Sequence, residues 1–196
     1  MNKFGMRIGL VLIGVGAALI VVAQMRSRAG IPADAAYGRV PDFALTESSG
    51  RTVQRKDLLG KPWVVDFIFT SCAGSCPLMT AQMRKLQDAL PVQVGLLSFS
   101  VDPQRDTPEV LVRYARQYQA DSQRWWFLTG DRATLYNVSI NGFKLPFDDS
   151  QGTAQEPITH SSRFVLIDRN AEIRGFYSGA ENFDLSKIVE DAKRLL

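Results

Sequence analysis

Residues 63–69 read WVVDFIF, a nearly unbroken run of β-branched and aromatic side chains behind the turn formers Gly60, Lys61 and Pro62. Strict alternation would bury one face of a strand; this run is apolar on both, which predicts a central strand covered by layers on either side. The next stretch of chain has a different period. Leu78, Met79, Met83, Leu86 and Leu90 recur at helical spacing and stop at Pro91, predicting a helix over 77–90. A second buried strand is predicted over 92–101. Thr107-Pro108-Glu109 then opens a helix to about Tyr118, with proline suited to a first helical turn. A third strand is predicted over 125–128 and a short helix over 132–138. Upstream, residues 41–62 predict two short strands around Ser48-Ser49-Gly50. Downstream, 163–167 and 172–177 predict a hairpin around Asp168-Arg169-Asn170, and 185–196 a closing amphipathic helix. Strands alternating with helices and ending in a hairpin predict a three-layer α/β domain with a mixed central sheet over residues 41–196.

The N-terminus obeys another rule. Residues 8–23 carry no charge and span about 24 Å as a helix, less than the roughly 30 Å of a bilayer's hydrocarbon core. Extended over 4–25, with Arg7 near one end to snorkel, the run reaches about 33 Å and suffices. Residues 1–25 are therefore expected to be a single transmembrane anchor, with a signal segment cleaved near Ala23 as the alternative reading. Residues 26–40 are expected to be a linker. Either reading places the domain on the extracytoplasmic side.

The 23 basic and 20 acidic residues are interspersed, and the net charge of +3 comes without any block of one sign, so nucleic acid is not an expected partner. A domain of this size does not need disulfide staples, and a bridge closing so short a loop as Cys72–Cys76 would stabilise little. The pair is read as reactive or metal-ligating.

The chain contains two cysteines and one histidine, so any chemistry needing thiolate or imidazole uses these residues. Cys72 and Cys76 lie between the first central strand and the first helix. Cys76 precedes Pro77, which predicts a place at the N-cap or first helical position, where the helix dipole favours a thiolate. His160 lies just before the 163–167 strand and is expected to supply an imidazole from across the site. Two thiolates and one imidazole suit copper best by donor softness, with zinc one ligand short of its usual structural set. Met79 and Met83, also soft donors, are assigned to the core by their spacing with Leu86. Trp125 and Trp126 are assigned to sheet packing. Asp102 and Asp106 could bind a cation, but turn and capping roles account for Asp106 and Thr107, and Asp148 and Asp149 are given a place on a long polar loop over 141–158.

FTSCAGSCP after a buried strand, SFSVDPQRDTPEVLVRYA, WWFLTGD and THSSRFVLIDRNAEIRGFYSG, in this order, resemble the Sco/SenC family. The resemblance runs from about Pro41 to the C-terminus and extends to the N-terminal anchor. It implies a thioredoxin-like domain tethered to a membrane and a copper ion bound by Cys72, Cys76 and His160. It also implies a role as metallochaperone for the dinuclear copper centre of cytochrome c oxidase. The partner would be the copper-bearing oxidase subunit or another copper chaperone, rather than the substrate of a conventional enzyme. Where the family commonly has proline after the first cysteine and often histidine before it, this chain has Ala73 and Ser71. The alternative reading is a membrane-anchored thiol-disulfide reductase that cycles Cys72 and Cys76 to keep a partner's cysteines reduced.

Overall fold

Seven strands form the central sheet of the computed structural model, in the order β2-β1-β5-β4-β3-β8-β9. The structure describes residues 36–72, 74–148, 158–180 and 182–196. The expected anchor over 1–25, most of the linker, Ala73 and Asp149 lie outside the described residues. Among the described residues no helix is long and apolar enough to cross a membrane.

The 63–69 run forms β3 (Trp63–Ile68), buried at every position, as does β4 (Gly95–Ser100). Both pair in parallel, and β5 (Trp125–Thr129) adds a third parallel strand against β4. The crossovers are helices α1 (Ser75–Ala89) and α2 (Pro108–Gln117). Antiparallel partners flank this core: β1 (Ala44–Glu47) and β2 (Thr52–Gln54) beyond β5, β8 (Arg163–Ile167) and β9 (Ile173–Ser178) beyond β3. The sheet is mixed, as expected, because only the two helical crossovers can return the chain parallel to itself.

Pleating sends alternate side chains of each strand to opposite layers. On one face Phe127 meets Tyr114 of α2 edge-on, and Trp125 stacks on Phe127 at 5.1 Å. Met79, Met83 and Leu86 of α1 are fully buried, so the two methionines belong to the core. The terminal helix α4 (Leu185–Lys193) is tied to this sheet by the Tyr177 hydroxyl, which donates to Asp191 at 2.9 Å. On the other face Phe67 and Phe99 stack at 5.2 Å, and Phe143 closes over both.

Three expectations need correction. The 132–138 helix ends at Tyr136 (α3, Arg132–Tyr136) and continues as a wide π-type turn over Asn137–Gly142. Gly142 there faces the Pro41 ring, where an added Cβ would approach within 2.4 Å. The 141–158 segment is not wholly loop: Phe147–Asp148 (β6) pairs with Thr159–His160 (β7) in a ribbon apart from the main sheet. Glu172 precedes β9 and instead forms an isolated bridge with Arg39.

Candidate metal centre

β3 ends at Ile68, and four residues later its direction has been turned toward α1. The Cys72 amide donates to the Phe69 carbonyl at 3.3 Å, a tight turn that places this cysteine over the carboxyl end of the central strands. Helix α1 then starts at Ser75 behind Gly74, which supplies no side-chain cap. Cys76 is thus the second helical residue, one place further in than expected. That offset sets its surroundings. Cys76 is wholly buried and Cys72 is only 7% exposed, so what solvent access the pair has runs past Cys72.

Burial works against the thiolate expected at Cys76. Burial pushes its thiol well above the ordinary range, and a backbone hydrogen bond at Phe69 offsets this only in part. The neighbouring Cys72 sulfur, close enough to hydrogen-bond, and the Asp66 carboxylate push it further up. Proximity to a helix start favours the anion, but desolvation in this interior outweighs it. Two thiolates side by side in a low dielectric repel, so a bound cation would favour the doubly deprotonated pair.

Two buried carboxylates accompany the cysteines, and the sequence alone assigns neither to this place. Asp66, in the middle of β3, has zero exposure, and neither of its oxygens finds a well-formed hydrogen bond. Burial lifts its carboxyl to about 7, offset in part by Ser98, its partner in register on β4. Ser98 already accepts from the Trp125 indole at 3.0 Å. Asp106 is equally buried but fully engaged: it accepts from the Thr70 amide at 3.1 Å, the Thr70 hydroxyl at 2.5 Å and the Ser100 hydroxyl at 2.6 Å. A turn-and-cap role is too modest for it. Thr107 does the capping of α2, accepting from the Val110 amide at 3.4 Å. Asp102 pairs with Arg105 at 2.9 Å.

The backbone of His160 lies in β7, opposite Phe147 in the β6–β7 ribbon. Phe147 is buried and meets Tyr136 edge-on at 5.5 Å, so the strand opposite His160 is fastened to the end of α3. Among the described side chains no three of His, Cys, Asp and Glu gather into a metal-holding group. A surface groove of about 730 Å³ beside Phe43, Gln54 and Asn137 contains neither cysteine, and its Arg55 and Asp42 are already paired at 2.7 Å.

The model of the SCO1/SenC family matches residues 33–196. The chain belongs to this family. It is 34% identical over 158 residues to the SCO1 protein homolog of Bacillus subtilis, covering 79% of this chain and 81% of that one. Among solved structures it resembles BsSco, described as a member of the Sco family of cytochrome c oxidase assembly proteins in which a disulfide switch was identified. The TM-score there is 0.73 at 32% identity, over 84% of this chain and 96% of that one. The fold is also shared with Bradyrhizobium japonicum ScoI with copper bound, with a TM-score of 0.68 at 24% identity over 81% and 100% of the two chains. The thioredoxin-like α/β architecture is that of these Sco structures.

Proposed function

We propose that this Sco protein is a copper-binding assembly factor whose cargo is held by the Cys72 and Cys76 sulfurs and the His160 imidazole. The observation that carries the reading is the pair of buried cysteines brought together at the β3–α1 junction, where burial raises the proton affinity of Cys76. A soft cation entering past Cys72 displaces protons from the sulfurs and neutralises the thiolates it binds, in an interior that raises the proton affinity of Cys76. His160 completes the donor set from the β6–β7 ribbon. The copper then passes by ligand exchange to the copper-bearing subunit of cytochrome c oxidase or to another chaperone. Residues 1–25 anchor the domain, 41–196, on the extracytoplasmic side through the 26–40 linker.

A second reading is favoured by the same closeness of the two sulfurs. Oxidation of the dithiol would give up two protons and two electrons to a partner's disulfide, making the protein a thiol-disulfide reductase. Reduced thiols are required for copper as well, so redox state would gate loading.

Copper titration of the reduced protein separates the two. Near-stoichiometric uptake is expected, lost in Cys72→Ser and Cys76→Ser and weakened in His160→Ala, with the disulfide potential of the histidine variant unmoved. Unchanged affinity in His160→Ala would remove the histidine from the site and favour the reductase.

A further inference from the structure

Asp106 poses a physical question that its motif alone does not answer. Thr107 supplies the cap of α2, and backbone bonds already fix the turn: the Asp106 amide donates to the Asp102 carbonyl at 2.9 Å, and the Arg105 amide donates there at 3.1 Å. The carboxylate is free of both duties and yet has zero exposure. Burying a carboxylate is unfavourable, and an apolar group of similar size would commonly serve stability as well or better. What an apolar group cannot do is accept several directed hydrogen bonds from one short segment.

Those bonds converge on the cysteine loop. Thr70, two residues before Cys72, gives Asp106 both its amide and its hydroxyl, so backbone and side chain are held at once. The Asp106 Oδ2, which takes the Thr70 amide, also accepts the Ser100 hydroxyl, and the Ser100 oxygen in turn accepts the Asp102 amide at 3.1 Å. The Val101 amide donates to the Ile68 carbonyl at 2.8 Å, closing the seam between the ends of β3 and β4. One carboxylate therefore joins the end of β3, the end of β4 and the start of α2. The loop it holds is the one whose next turn presents Cys72 to Cys76.

We propose that Asp106 is a positioning residue for the proposed copper site: it locks Thr70 so that the Cys72 sulfur is held ready beside Cys76 before any metal arrives. This deepens the copper reading and rests on it for the identity of the ligand. A loop held in its ligating shape loses little freedom on binding, so the lock slows copper loss without touching the metal. It also restricts the excursions that would carry Cys72 to solvent.

The test uses the reduced full chain in detergent, with Asp106→Ala, Thr70→Val and Thr70→Ser. Asp168→Ala serves as control, because Asp168 is another largely buried carboxylate bound to backbone amides, of Asn170 and Glu172, in the β8–β9 turn. Two quantities are read: the rate of the first thiol alkylation by iodoacetamide without metal, and copper affinity in competition with a chelator. Asp106→Ala is expected to speed alkylation and weaken copper by about 10- to 100-fold, the range typical of groups that orient metal ligands. Thr70→Val should shift both in the same direction, and Thr70→Ser, which restores the hydroxyl, should recover wild-type values. Asp168→Ala should lower stability and move neither quantity. If Asp106→Ala fails to fold, Thr70→Val against Thr70→Ser decides alone. Alkylation within twofold of wild type in every folded lock variant overturns the proposal. Wild-type protein that takes up no copper, with alkylation still accelerated in the variants, overturns the copper reading and leaves the lock standing.

Discussion

At the amino ends of the central strands Trp63 is fully buried, its indole donates to the Leu58 carbonyl at 2.8 Å, and its ring meets Trp126 at 4.5 Å. At their carboxyl ends, a few residues away along the same strands, the interior holds two thiols and the carboxylate of Asp106, with Asp66 set midway. The first region is closed by apolar contact: Gly95 lies so near the Trp63 ring that an added Cβ would come within 2.2 Å. The second accepts buried polar groups whose proton affinity is raised chiefly by burial, with Cys72 and Asp66 adding to it at Cys76. Stability is concentrated at one end and chemical potential at the other, which is the arrangement expected of open α/β sheets, where ligands bind beyond the carboxyl ends of the strands.

Trp63→Ala is the hardest blow to that division. It removes a wholly buried indole and its hydrogen bond, at the upper end of the roughly 3–5 kcal/mol typical of such truncations. Chemical denaturation should show this loss while the alkylation rate of the thiols in the folded protein stays within twofold. A parallel jump in thiol reactivity would mean that the two ends are mechanically one unit.

Asp66 sharpens the comparison from the other side. Its carboxyl is near 3.8 in the unfolded chain and about 7 when buried, so between these values the folded protein keeps a proton that the unfolded chain has released. Unfolding then sheds a proton, and stability falls as pH rises from about 4 through 7. At about 1.36 kcal/mol per unit the contribution is on the order of 4 kcal/mol, fully present below the unfolded value and lost above the folded one. Denaturation of the reduced, metal-free protein at a series of pH values should show this slope, and Asp66→Asn should flatten it. An equal slope in both proteins would show that the carboxylate ionises freely in place.

The amino end was legible in the sequence and the carboxyl end only by its residue types. Continuous apolar runs announced β3 and β4, and Thr107-Pro108 announced α2, because these are local signals within one turn or one pleat. The three proposed ligands stood out because the chain offers no other cysteine or histidine. Their electrostatics did not stand out. The proton affinity of Cys76 arises from burial between β3 and α1 and from Asp66, ten residues before it, and no spacing rule weighs a helix dipole against such desolvation. Asp106 meets Thr70 across 36 positions, a contact made by the parallel crossover and invisible before it. The π-type turn at Asn137–Gly142 escaped because its bonding has no periodic apolar signature.

The smallest expected effect lies at the rim of the apolar end. The Arg51 guanidinium sits 4.0 Å from the Trp126 ring centroid, and the Lys61 ammonium lies 4.2 Å from Trp63 and 5.2 Å from Trp126. Each contact is favourable, but the cations repel one another. Burial, and after it the charges of Arg124 and Arg51, holds the Lys61 ammonium below its ordinary range. Arg51→Ala forfeits about 0.5–1 kcal/mol of cation–π attraction, as at other exposed sites, and relieves part of that repulsion. The 3.6 Å pair of Arg51 with the buried Glu47 is lost as well, so stability should fall by about 1 kcal/mol, while NMR titration of the Lys61 side chain should show its pKa rise. Because the folded lysine gives up its proton earlier than the unfolded one, wild-type stability should gain slightly as pH climbs from the depressed value toward 10.5, and the gain should shrink in Arg51→Ala. A Lys61 titration unmoved by the loss of Arg51 would show that burial and the Arg124 charge set it without Arg51, and the rim cations would then act on Lys61 one at a time rather than together.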